Sequence, residues 1–314
     1  MYRIGIDLGG TNIVAGVVDE NYKLIATAKC KTNAPRPADD IISDMARVSC
    51  EAVSKAGLTP DDIDGVGVGC PGSCNLETGI VERAENLDFI NVPVQEKLQK
   101  LLGKPVRIVN DADAAAYGET LAGAAKGTRH ALCITLGTGV GGGAIVDGRI
   151  IAGHNFAGGE LGHTVIVADG EPCSCGRRGC WEAYASATGL IRQTKTAMQK
   201  NKDSILWQLS KNGEHVNGRT AFDAMRAGDE TGKQVVEQYI RYLACGLTNM
   251  VNIFQPEVLC IGGGISHEGE TLLAPVREII EKEQFAQTTA SKTRICAAEL
   301  GNDAGIIGAA YAGV

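Results

Sequence analysis

A short apolar strand through Ile6, a glycine-rich turn, a second apolar strand and a polar turn at Asp19 open the chain. The same order returns 128 positions later, where Ile6, Leu8, Gly9, Val18 and Asp19 fall on Ile134, Leu136, Gly137, Val146 and Asp147. Each segment predicts a β-hairpin whose loop is wide enough to hold a ligand. A second offset, of 192, sets Val66 on Val258, Gly72 on Gly264, and Asn110-Asp111-Ala112 on Asn302-Asp303-Ala304. In both copies an apolar strand runs into glycines, and another runs into Asn-Asp-Ala followed by small helix formers. Helical periodicity over residues 41–56 and 235–254 precedes the strands beginning at Ile63 and Val258. The two offsets differ by 64 residues, so the second copy carries an insertion, at roughly Gly153 to Gly228.

Two strand-rich halves with crossover helices predict an α/β fold with a cleft between lobes. The expected division is a smaller lobe over residues 1–117 and a larger one over 118–314, with the final helix from Asn302 packing back on the first lobe. A chain of 314 residues suits two such domains. With 44% hydrophobic and 21% charged residues, it has an ordinary globular balance. The net charge of -7, with no long Lys/Arg cluster, argues against a nucleic-acid partner. The start Met1-Tyr2-Arg3-Ile4-Gly5-Ile6-Asp7 has no export pattern, and the apolar stretch 131–146 is glycine-broken and too short to span a bilayer. A cytoplasmic chain with no membrane partner is expected, so the 11 cysteines read as thiols or metal ligands rather than a disulfide framework. A homodimer or homotetramer is the expected assembly.

The 41 glycines cluster in a few turns, which suggests backbone lying close to phosphate. In the first turn, Gly9 and Gly10 leave N–H groups unshielded, while Thr11 and Asn12 add side-chain donors. Asp7 is placed to hold Mg²⁺, through water if the ion keeps its hydration shell. In the second turn, 136–143, Thr138 and Gly139 would grip phosphate in the same way. Two tight hairpins without a ligand are the plainer alternative. Gly262, Gly263 and Gly264 follow a strand and would suit a flat adenine ring, or equally a strand-to-helix turn. Two matches to G-x-G-x-x-G, at 67–72 and 137–142, lack the helix that a dinucleotide site requires.

His163, Cys173, Cys175 and Cys180 supply the four soft ligands of a closed tetrahedral zinc site, with glycines at 176 and 179 to turn the chain. Glu160 and Glu182 bracket that cluster. If the knuckle folds round zinc, both carboxylates lie on one rigid patch that suits the hydroxyls of a polyol ring, and His163 keeps one ring nitrogen for ligand. Solvated carboxylates are the alternative. Asn110-Asp111 ends a strand and begins an Ala-rich helix. Both residues are helix-capping types, as are Asn302-Asp303, but Asp111 could also accept a proton from an attacking hydroxyl.

Together these residues resemble the ROK group of sugar kinases and sugar-responsive repressors over essentially the whole chain. The resemblance rests on residues 7–12, 110–112, 136–143 and the run from Gly159-Glu160-Leu161-Gly162-His163 to Cys173-Ser174-Cys175-Gly176-Arg177-Arg178-Gly179-Cys180-Trp181-Glu182. It implies an actin-like (ribonuclease H-like) ATPase fold with duplicated halves and a zinc-knuckle insertion in the second lobe. It further implies ATP and Mg²⁺ as cosubstrates and Asp111 as base. Sugar would bind at Asn110, Asp111, Glu160, His163 and Glu182, and structural zinc on His163 and the three cysteines. The stretch 181–187 is similar to bacterial glucokinases, so glucose is the expected acceptor. N-acetylglucosamine, N-acetylmannosamine and mannose are alternatives. The family's repressors carry a DNA-binding helix-turn-helix ahead of the first loop, and Asp7 lies too near the start for one, which makes a sugar-sensing regulator the weaker expectation.

Overall fold

The computed structural model describes residues 1–312. Strands β1 (Tyr2–Leu8), β2 (Asn12–Asp19) and β3 (Leu24–Lys31) form an antiparallel meander. Helix α1 (Ala38–Lys55) then crosses over to β4 (Ile63–Cys70), which lies parallel to β1. The apolar face of α1, Ile41, Ile42, Met45, Val48, Ala52 and Val53, is buried in the same core as Ile4, Ile6, Val66 and Val68. Asp39 and Asp40 in its first turn and Lys55 in its last suit the helix dipole. A small antiparallel sheet of β5 (Ser73–Asn75), β6 (Ile80–Ala84) and β7 (Phe89–Val92) follows, then α2 (Val94–Leu102). Strand β8 (Val106–Asn110) pairs parallel with β4 and runs into α3 (Asp111–Ala122). The first large sheet therefore has the order β3-β2-β1-β4-β8.

Strands β9 (Ala131–Leu136), β10 (Val140–Val146) and β11 (Arg149–Ile150) begin a second sheet. After them come α4 (Glu182–Ala185), α5 (Ala187–Lys200), α6 (Leu206–Leu209), α7 (Thr220–Arg226) and α8 (Glu230–Phe254). Strand β12 (Val258–Gly262), α9 (Glu270–Glu283), β13 (Arg294–Ala297) and α10 (Asp303–Tyr311) complete the fold. The second sheet's order is β11-β10-β9-β12-β13. Replacing each strand of the first sheet by its counterpart in chain order gives this arrangement, and a helix follows the last strand in both. The stretch read as an insertion, residues 153–228, contributes α4 to α7 and no strand to either large sheet.

Contacts divide the chain into two compact units. One comprises Met1–Cys133, Gly143–Gly159 and the segment from Ala298 onward; the other comprises Ile134–Gly142 and Glu160–Ala297. The expected boundary at 117/118 lies within α3, and residues 118–133 group with the first unit. Within that unit α10 packs on β1, β4 and α3. The approach is backbone to backbone. A methyl group on Gly67 of β4 would stand 1.7 Å from the Ala309 carbonyl oxygen, and one on Gly308 would stand 1.7 Å from that of Ala114. Among the described residues no helix is long and apolar enough to cross a membrane.

Candidate active site and metal centre

Within the first unit, the parallel strands β1, β4 and β8 end at a common edge, where open α/β sheets place ligands. Asp7 near the end of β1 is level with Gly69 on β4, and Cys70 is level with Asn110 on β8. Asp111 starts α3, its Cα 3.6 Å from the position a Cβ on Gly69 would take. Burial, and after it the charge of Asp111, pushes the Asp7 carboxyl up to about 6. Among the described residues no side-chain hydrogen bond or cation partners the Asp7 carboxylate. Asn110 performs the capping: its Oδ1 accepts from the Ala112 and Asp113 amides at 2.9 and 3.2 Å, and its Nδ2 donates to the Gly72 carbonyl at 3.1 Å. Asp111 stands at the first helical position, and its Oδ1 accepts from the Ala112 amide at 2.9 Å. Asn302 makes no side-chain cap, contrary to the sequence expectation. Its backbone is already helical (φ -70°, ψ -14°), whereas a capping side chain needs an extended backbone to reach the N2 and N3 amides.

The turn carrying Gly9, Gly10, Thr11 and Asn12 is held from behind. Gly9 N donates to the Asn12 carbonyl at 3.0 Å, and the buried Thr32 hydroxyl donates to the Gly9 carbonyl at 2.6 Å. Thr11 and Asn12 are left exposed. In the second unit the turn at Gly137-Thr138-Gly139 is held by different means. The Ala187 amide donates to the Gly137 carbonyl at 2.9 Å, the Thr188 hydroxyl to the Thr138 carbonyl at 2.8 Å, and the Val140 amide to Glu182 Oε2 at 3.0 Å. A strand follows the glycines at 67–72 and at 137–142, so neither opens a helix toward a dinucleotide. Gly262 ends β12, and Gly263 (φ 86°) presses its backbone on Leu136, where a Cβ would stand 2.5 Å from the carbonyl oxygen. Gly264 begins a short 3-10 turn between β12 and α9.

His163, Cys173, Cys175 and Cys180 bring their donor atoms within 4.8 Å of one another. The chain turns back through Gly176 (φ 86°) and Gly179 (φ 79°), where left-handed backbone excludes most side chains. The Cys175 and Cys180 sulfurs are 3.7 Å apart, far beyond a disulfide bond, and Cys173 Sγ is 3.5 Å from His163 Nδ1. Metal–sulfur and metal–nitrogen bonds of about 2.3 and 2.0–2.1 Å give tetrahedral edges of about 3.8 Å (S···S) and 3.5 Å (N···S). These spacings fit a tetrahedral cation. Burial pushes the Cys180 thiol up to about 12, so metal binding would displace its proton. Nδ1 of His163 faces the cluster, and Nε2 lies 4.0 Å from Glu160 Oε2, with Glu160 exposed. Glu182 Oε1 accepts from the Ser174 hydroxyl at 3.1 Å. Trp181 anchors the patch, being fully buried, with its indole N–H on the Tyr242 carbonyl at 3.1 Å and its ring against Gly246 of α8.

The profile of the ROK family matches residues 3–312. The chain belongs to the ROK family. A glucokinase of Thermotoga maritima is 38% identical to it over 308 residues, covering 98% of this chain and 95% of the relative. Among solved structures, a ROK family glucokinase from Streptomyces griseus in complex with glucose and AMPPNP is similar at 34% identity and a TM-score of 0.80, covering 99% and 98% of the two chains. A ROK hexokinase from Thermus thermophilus matches at 32% identity and a TM-score of 0.84, over 99% and 97%.

In this ROK protein the sequence-predicted residues fall into two sets. Asp7, Asn110 and Asp111 gather at one sheet edge of the first unit; Glu160, His163, Glu182 and the cysteines gather round the knuckle of the second. Sequence reasoning missed Ser186 and Thr188. Ser186 caps α5 by accepting from the Gly189 amide at 3.0 Å, which places Thr188 on the glycine-rich turn. A Ser directly before a helical run was the available signal.

Proposed function

We propose that this chain is an ATP-dependent glucokinase, converting glucose and ATP into glucose 6-phosphate and ADP. The observation that carries the reading is the 38% identity, across 98% of the chain, to a glucokinase. The similar Streptomyces griseus enzyme complexed with glucose and AMPPNP supports it. Asp111 is the base. The sugar 6-hydroxyl oxygen attacks the γ-phosphorus, its proton passes to the Asp111 carboxylate, and the bond to the β,γ-bridging oxygen breaks with its electron pair leaving on ADP. Because Asn110 does the capping, the Asp111 carboxylate is not needed to start the helix. Asn110, Glu160, His163 and Glu182 orient the hydroxyls of the sugar. Gly9, Gly10, Thr11, Asn12, Thr138 and Gly139 hold phosphate, and Gly262 to Gly264 lie near the adenosine.

Magnesium on Asp7 would neutralise phosphate charge; a desolvated carboxylate beside a second one, with no cation partner among the described residues, suits that task. Zinc is the metal proposed for His163, Cys173, Cys175 and Cys180, as a structural ion that stiffens the segment between Glu160 and Glu182. The corresponding strand orders support duplicated halves of an actin-like fold. We place the enzyme in the cytoplasm as a homodimer or homotetramer, with no nucleic-acid partner. The reading is tested by incubating the protein with glucose and Mg·ATP and detecting the product with a dehydrogenase specific for glucose 6-phosphate. Absence of product at any enzyme concentration overturns it.

A further inference from the structure

Glu182 uses both carboxylate oxygens, and each reaches a different functional element of the second unit. Oε2 accepts the Val140 amide at 3.0 Å, immediately after the glycine-rich turn. Oε1 accepts the Ser174 hydroxyl at 3.1 Å and lies 3.7 Å from Cys173 Sγ, both in the loop that carries the metal ligands. The turn is fitted to this arrangement, since a Cβ on Gly139 would stand 2.3 Å from Glu182 Oε2. The carboxylate cannot shift far on its own stem, because Trp181 is wedged against α8 and α4 begins at Glu182. Ala187 and Thr188, a few residues on, hold the Gly137 and Thr138 carbonyls. Without the metal, the loop 173–180 rests on hydrogen bonds such as Cys173 N to the Arg177 carbonyl at 2.9 Å and Gly179 N to the Glu171 carbonyl at 2.8 Å, and a metal would add bonds that tie its three cysteines to His163.

We infer that Glu182 is a positioning residue for the phosphate-gripping turn, so that metal occupancy of the His163–Cys180 cluster and nucleotide binding at residues 137–140 favour one another. Charge-assisted hydrogen bonds to a backbone amide are among the stronger ones, and a bridge of two such contacts can carry coupling of fivefold or more. Coupling between two binding events is reciprocal, so it can be read from either side. This rests on the nucleotide reading of that turn given above.

The experiment uses the full chain, metal-loaded and chelator-stripped, in the absence of sugar. Affinity for Mg·AMPPNP is measured by calorimetry, and zinc release is followed with a chromophoric chelator with and without Mg·AMPPNP. In the native protein we expect stripping to weaken nucleotide binding roughly fivefold or more, and the nucleotide to slow zinc release by a similar factor. Glu182→Ala abolishes both effects, Ser174→Ala reduces them, and Glu182→Gln keeps part of them, because an amide can still accept from Val140 and donate to Ser174 but carries no charge. Should stripping unfold the loop, the effect of nucleotide on zinc release decides the matter with metal in place. Nucleotide affinity that ignores the metal, or zinc release that ignores nucleotide in the native protein, overturns the coupling alone. No nucleotide binding by the loaded protein overturns the nucleotide reading as well.

Discussion

Asp7 and Asp111 carry opposite lessons about a carboxylate at a strand edge. Asp111→Asn keeps the side chain's size and leaves the Asn110 cap untouched. Turnover should fall by roughly two orders of magnitude or more, with stability changed by less than about 0.5 kcal/mol. Steady-state kinetics and thermal unfolding check both halves, and an active variant that melts early would make Asp111 merely structural. Asp7 is held as a carboxylate at a cost. Its folded pKa of about 6 lies above the ordinary aspartate value, so its contribution to stability is fully present below about pH 4 and is lost as pH rises through 6. Asp7→Asn in nucleotide-free, magnesium-free protein should therefore melt higher than the native protein at pH 7–8, by roughly 1–2 kcal/mol, with the gap closing towards pH 4. A gap that widens on acidification contradicts the buried-acid account. That both aspartates sit at strand ends was legible in the sequence; which neighbour did the capping was not, because that depends on backbone angles at Asn110 and Asn302.

Elements with a strong period were readable, and short ones were not. Helix α1 stands where the periodicity put it. Helix α8 starts five residues earlier than Val235, because its first turn is polar and is fixed by Asp229, whose Oδ1 accepts from the Gly232 amide at 2.7 Å. The three-stranded sheet over residues 73–92 was not read, since three to five residues among turn formers give no usable period. The grouping of His163, Cys173, Cys175 and Cys180 was legible because these residue types and their glycines are local in sequence. Cys175→Ser should abolish the proposed zinc binding and weaken glucose binding by tenfold or more, measured by metal analysis and calorimetry. Full glucose affinity in metal-free protein would separate the metal from the sugar site. Helix α10 offers a packing test. Gly308→Ala forces the helix off α3 and should cost about 1–3 kcal/mol or more in denaturant unfolding, whereas an unchanged midpoint would mean the contact is loose.

The two large sheets share one strand order, and the offsets of 128 and 192 pointed to it through matched glycines and the two Asn-Asp-Ala segments. What no periodicity marked is the link from Glu182 to Val140, 42 residues apart and set by a single hydrogen bond. The activity proposed for the molecule as a whole is phosphorylation of glucose. Only 4% of residues are aromatic, so selection at carbon 2 should rest on hydrogen bonds rather than ring stacking, and sites built that way discriminate strongly. The decisive measurement compares specificity constants for glucose, mannose, 2-deoxyglucose, N-acetylglucosamine and N-acetylmannosamine at saturating Mg·ATP, following ADP release. Glucose should exceed either acetamido sugar by about a hundredfold or more, with mannose and 2-deoxyglucose poorer but measurable. An acetamido sugar at the head of the series would contradict the glucose assignment, and ADP release with none of the five would contradict the kinase itself.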